Sequence, residues 1–150
     1  MALDAIRSFF SRRIDPASGG TPPDRVAIAA CALLLELAHA DDSFSDEERA
    51  RIVRAAHEMG VADGDLEELL RLAEQERRGS VDLFGFTREI AERYSREERL
   101  RLVEAIWGVV YSDGSLTEAE NRLARRIAEM LGFQHPEVQA AKERVASRRP

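Results

Sequence analysis

The sequence predicts an all-α fold: a compact bundle of about seven to eight helices built around an internally duplicated helical hairpin. Three observations carry that expectation. Ala, Leu, Glu and Arg dominate the 150 residues and outnumber Val and Ile, a balance that favours helices. Apolar residues recur at helical spacing between capping residues and glycine stops, and no stretch alternates with the period of two that a half-buried strand needs. A segment of almost thirty residues returns after an offset of 72.

The elements follow in order. Residues 2–14 read as an amphipathic helix with Leu3, Ile6, Phe9, Phe10 and Ile14 on one side, and "DPASGGTPP" breaks it. Residues 1–23 therefore divide off as an N-terminal helix and linker, with residues 24–150 as the helical domain. The arm either packs back on that domain, the preferred reading, or detaches. A second helix starts near Pro23–Asp24 and runs to about Ala40, apolar on nearly every face, as suits the middle of a bundle. Ser45 opens a third, with Ile52, Val53, Ala56 and Met59 inward and Gly60 as its stop. Asp63 or Asp65 starts a fourth, carrying Leu66, Leu69, Leu70 and Leu72. A fifth covers about Val81 to Tyr94 despite Gly85 and Thr87. Ser95 caps a sixth through the box Ser95-x-x-Glu98, which runs to about Tyr111 with Trp107 in its apolar stripe. Thr117 caps a seventh, with Leu123, Ile127, Met130 and Leu131 inward and Gly132 as its stop. An eighth begins at "HPEV", with His135 as cap and Pro136 in the first helical position.

Under the 72-residue offset Asp41 falls on Asp113, Ser45 on Thr117, Glu48 on Glu120 and Gly60 on Gly132. Each copy reads as a buried helix, an acidic turn, a capping box and an amphipathic helix ended by glycine. The two most apolar helices take equivalent places, which suggests two hairpins related by a pseudo-twofold axis with those helices at the centre.

Composition bounds the function. Hydrophobic residues make up 44% and charged residues 33%, the balance of a folded globular chain. The net charge of −6 argues against nonspecific nucleic-acid binding. The two ends are basic and the body between them acidic, which complements the last helix dipole and also suits contact with an anionic surface. The one cysteine, Cys31, excludes an internal disulfide and any multi-cysteine zinc site, and it reads as a buried hydrophobe. The longest apolar stretch, Val26 to Leu35, is too short to span a bilayer, and the N-terminus lacks the pattern of a secretory signal. A cytoplasmic location is the resulting expectation.

The acidic turns "HADDSFSDEE" and "YSDGSLTEAE" carry the candidate site. Much of each turn is capping. The Ser45 hydroxyl can accept from the Glu48 amide while Glu48 reaches back, and Thr117 and Glu120 can do the same, each cap being worth roughly 0.5–2 kcal/mol. Asp41 and Asp113 resist that account, because each sits at the exit of a buried helix, where the dipole disfavours negative charge. A basic side chain or a bound cation would offset the cost. Folding the turn can bring Asp41 near Glu48 and Asp113 near Glu120, oxygen-rich pairs of the kind that hard cations such as Ca²⁺, Mg²⁺ or Mn²⁺ prefer. An EF-hand is excluded by counting: from Asp113, position six is Glu118 and position twelve Ala124, and from Asp41 position twelve is Ile52.

The patterns "ADDSFSDEE" and "SDGSLTEAE", with the endings "HEMG" and "AEMLGF", closely resemble the TerB-like domain of tellurite-resistance proteins over about residues 25–145. The resemblance implies a duplicated bundle of about seven helices, a cytoplasmic role in stress response, and acidic positions suspected of holding divalent metal. Those positions are Asp41 and Glu48 in the first copy and Asp113 and Glu120 in the second. The chain departs from the family at Asp42, where the second copy has Gly114.

Other candidates weigh less. His39 precedes the acidic turn, but Tyr111 stands there in the second copy. Phe84 and Phe86 flank Gly85 as core or as the lining of a groove. No nucleophile with a base, phosphate loop or zinc motif is present, so the expectation is a non-catalytic module that binds a divalent cation or a protein partner, with no nucleic acid. The alternative is a protein-interaction or membrane-adjacent adaptor docking through "LDAIRSFFSRRI", its acidic turns purely structural.

Overall fold

The element around which the others are arranged is α2 (Pro22–Ala40), the helix without a polar face. The computed structural model describes residues 2–18, 22–40, 45–78, 85–111 and 118–147. These form α1 (Ala2–Phe9), α2, α3 (Asp46–Glu58), α4 (Asp63–Arg78), α5 (Gly85–Arg93), α6 (Arg96–Val110), α7 (Glu118–Met130) and α8 (His135–Ser147), with no strand among the described residues. Helix α2 packs on α3, α4, α6 and α7, and α6 packs on α7 and α8. The stretch Ala29 to Leu35 is buried residue after residue, so the continuous apolar run is explained by neighbours on every side.

The N-terminal arm packs back. An Asp15 N–H to Phe10 carbonyl bond of 2.8 Å, five residues back, closes a π turn over Phe10–Ile14 at the end of α1. With that wider turn the adjacent Phe9 and Phe10, and then Ile14, all face inward at no more than 1% exposure. Phe9 meets Phe86 of α5 edge to face, with ring centroids 6.0 Å apart. The Tyr94 hydroxyl donates to the Ile14 carbonyl at 2.7 Å. Arg12 pairs with Glu68 at 2.9 Å and Arg13 with Asp65 at 2.7 Å, tying the arm to α4. These exposed pairs are each worth about 0–1 kcal/mol, so the buried aromatics hold the arm.

Met59 and the cap of α8 differ from the sequence reading. Met59, expected inward, is 40% exposed because α3 ends before it and the chain turns at Gly60. Val53 and Met130, expected inward, are half-buried and pack against the core. The fifth helix is described only from Gly85, since residues 79–84, Phe84 among them, lie outside the described residues. The cap of α8 is Gln134 and not His135: the Gln134 N–H donates to Glu137 Oε1 at 3.1 Å, and its carbonyl accepts from Val138.

The 72-residue offset carries α3 onto α7 from first residue to last. It also superposes Gly60 and Gly132, both left-handed with φ of 90° and 96°, as each must be to end its helix and turn the chain. Helix α4 packs on α2 as α8 packs on α6.

Candidate functional site

Helix α3 begins as the capping pattern requires. Ser45 is extended, with φ −78° and ψ 163°, and its hydroxyl accepts from the Glu48 N–H at 3.1 Å. Glu48 Oε1 accepts in return from the Ser45 N–H at 3.4 Å and from its hydroxyl at 3.0 Å. Asp46 and Glu47 are exposed in the first turn, where negative charge meets the positive end of the helix, and Asp46 pairs with Arg49. One atom is left over. Glu48 Oε2 is shielded from solvent and has no hydrogen-bond partner among the described residues.

At the start of α7 the corresponding glutamate has a cationic partner from α3. Glu120, at the same place in α7, is 3% exposed, and its Oε1 lies 3.0 Å from Nη1 of Arg51, which reaches across from α3. The pair lines a small cleft of about 40 Å³ where α3 meets Val109 and Val110 at the end of α6. A guanidinium therefore already balances a carboxylate that the sequence reading assigned to a cap or a cation. Arg51 falls on Leu123 under the offset, so the sequence supplies this cation to one half and an apolar residue to the other. The remaining candidates, Asp41 and Asp113, lie outside the described residues, as do Thr117 and the side chain of His39. Among the described residues no group of three or more His, Cys, Asp or Glu side chains is close enough to hold a metal ion.

Sequence reading missed a third carboxylate. Glu36, 4% exposed on α2, accepts from the Phe86 N–H at 2.9 Å, the Thr87 N–H at 3.1 Å and the Thr87 hydroxyl at 2.8 Å. It occupies the N-terminus of α5, where free amides and the helix dipole stabilise a buried negative charge. At the first described turn of α5 a cap therefore comes from another helix. The signal in the sequence is one acid inside an otherwise apolar helix.

The other singled-out residues take structural places. Burial pushes the Cys31 thiol up to about 12, so it stays protonated at neutral pH. Trp107 is fully buried, with Lys142 Nζ 5.3 Å above its ring. Burial lowers the pKa of that ammonium, and the nearby Arg125 lowers it further. His57 Nδ1 lies 3.1 Å from Asp63 Oδ1 across the exposed α3–α4 turn. Among the described residues no helix is long and apolar enough to cross a membrane.

A protein-family model described as "Tellurite resistance protein TerB" matches residues 27–143, from within α2 to the body of α8. No curated relative and no solved structure matches the chain.

Proposed function

The chain belongs to the TerB family, and from that premise we propose that it is a non-catalytic module of a stress response that binds a divalent cation or a protein partner through its acidic turns. The observation that carries the cation reading is Glu48 Oε2, a buried carboxylate oxygen without a partner among the described residues. Burying such an oxygen unpaired is costly, and a hard cation such as Mg²⁺, Ca²⁺ or Mn²⁺ offsets that cost where a second carboxylate joins it. Asp41 is the proposed companion in the first turn, and Asp113 with Glu120 the proposed pair in the second. The first turn should be the stronger, since Arg51 already neutralises Glu120. A bound ion there would tie the exit of α2 to the start of α3 and order an acidic face. The non-catalytic reading is supported by the Cys31 thiol, which is buried and protonated, and by the Ser45 hydroxyl, which is engaged as a cap.

We also infer that the two halves descend from one copied unit. Matching helix limits, matching left-handed glycines and matching helix neighbours support this.

The test is titration with Mg²⁺ and Ca²⁺ followed by amide NMR shifts. Saturable shifts at residues 41–48 are expected, weaker or absent ones at 113–120, and loss of the first set in Glu48→Gln. No localised change in either turn removes the cation claim. That result would leave the adaptor reading, which the Arg51–Glu120 pair favours because it is satisfied without an ion. Docking to a membrane surface through α1 would require Ile6, Phe9 and Phe10 to leave the core.

A further inference from the structure

The hairpins α3–α4 and α7–α8 correspond under the 72-residue offset, but their outer surfaces do not. In α7–α8 long polar side chains span the two helices and their neighbours. Arg125 donates to Gln139 at 3.2 Å, and Lys142 donates to Asn121 at 2.8 Å. The equivalents of Arg125 and Lys142 in the first hairpin are Val53 and Leu70. There a groove of about 490 Å³ lies open between α3 and α4, with Val53, Leu66 and Leu70 as its apolar lining.

We propose that this groove receives an amphipathic helix of a protein partner, one that carries apolar residues at i, i+3, i+4 and i+7 between lysines or arginines. Two neighbouring helices with an apolar floor between them form the receptor used in helix-in-groove recognition, and the volume suits two or three large side chains. Charge selects the partner's flanks. Glu58, Asp63 and Glu67 line the groove against the one guanidinium of Arg54, so a basic rim is complementary and an acidic one repelled. A second copy of this chain is a poor occupant, because Met59 is the one large hydrophobic side chain that stands exposed among the described residues. The surface is separate from the acidic turns and needs no cation.

The test uses the isotope-labelled full chain and a synthetic peptide of leucine and lysine, about 15 residues long, with leucines at helical spacing. Saturable amide shifts confined to α3 and α4 are expected, unchanged by EDTA, so this inference and the cation reading fail separately. A charge-reversed peptide with glutamate for lysine should bind about tenfold more weakly. Val53→Arg with Leu70→Lys, which copies the second hairpin, should weaken the lysine peptide at least as much while helicity is retained. Should that double variant lose its fold, Glu58→Lys with Glu67→Lys alters exposed and rim positions only and should shift preference toward the glutamate peptide. Shifts outside α3–α4, equal affinity for both peptides, no saturable binding at millimolar peptide, or self-association of the free chain through these residues would overturn the proposal.

Discussion

Glu48 and Glu120 occupy the third position of two helices that one offset superposes, yet their surroundings differ. Glu120 is buried and held by Arg51 from the other half of the molecule. Glu48 is half-buried and held by its own cap, with one oxygen unsatisfied among the described residues. One difference between the halves bears directly on this: the place of Arg51 in α3 is taken by Leu123 in α7. A repeated sequence motif thus does not imply a repeated electrostatic environment. The contacts that differ are made by residues outside the motif, on the opposite half.

The largest expected effect tests the carboxylate that has no counterpart. Glu36 falls on Gly108 under the offset, so its capping of α5 belongs to the first half alone. Glu36→Ala leaves two buried amides and a hydroxyl unpaired and should cost roughly 4 kcal/mol in urea denaturation. A cost below about 1 kcal/mol would mean that water replaces the carboxylate without loss.

The central contrast comes next. Glu120→Ala removes a buried carboxylate from beside the Arg51 guanidinium, whose side chain is 20% exposed, and should cost about 3 kcal/mol. Glu48→Ala removes one capping interaction and should cost about 1 kcal/mol. Equal costs would break the proposed asymmetry. Sharpening it further, Leu123→Arg in a Glu120-intact background asks whether Glu48 can take a guanidinium. Protection of Glu48 from cation-induced NMR shifts is the expected result.

The two helix stops give a smaller contrast. Any side chain at Gly60 or Gly132 suffers the left-handed backbone, at about 1–2 kcal/mol. At Gly60 an added Cβ meets nothing within 4 Å, whereas at Gly132 it lies 3.2 Å from Nη1 of Arg99. That nitrogen donates to the Leu131 carbonyl at 2.6 Å, so it cannot give way without loosening the turn. Gly132→Ala should therefore lower the melting temperature more than Gly60→Ala, and the reverse order would refute the account of that turn.

The smallest effect is read by pH. Glu137 of α8 and Asp65 of α4 are equivalent, but Asp65 pairs with Arg13 of the arm and Glu137 with Arg96 of α6. The Gln134 N–H, and then Arg96, hold the Glu137 carboxyl below its ordinary value of 4.5. The folded state then binds this proton more weakly than the unfolded chain. Its stabilisation is present above about pH 4.5 and lost as pH falls through the folded value. Glu137→Gln should flatten the acid limb of melting temperature against pH, lowering the melting temperature slightly at neutral pH and converging with the unsubstituted chain in acid.

Much of the fold was legible in the residues because helix signals are local. Ser45 with Glu48 and Ser95 with Glu98 mark helix starts within four positions, and Gly60 and Gly132 mark the stops. Those features depend on backbone amides a turn away, which the sequence alone specifies. The cap of α8 was misread by one residue because Gln134 caps through its backbone, with Glu137 reaching back, and not through a typical capping side chain. Glu36 could be recognised as an anomaly but not assigned a partner, since its donors lie fifty residues away.

By itself, then, the sequence determined the helices, their order and the apolar helix at the centre, because propensity, capping and periodicity act over one or two turns. Only the tertiary structure decided which charges meet. The pairing of Arg51 with Glu120, the capping of α5 by Glu36, and the open groove beside α3 all depend on side chains brought together from distant positions. Over such distances in the chain, packing sets the geometry, and a charge's burial and partner determine what it can do.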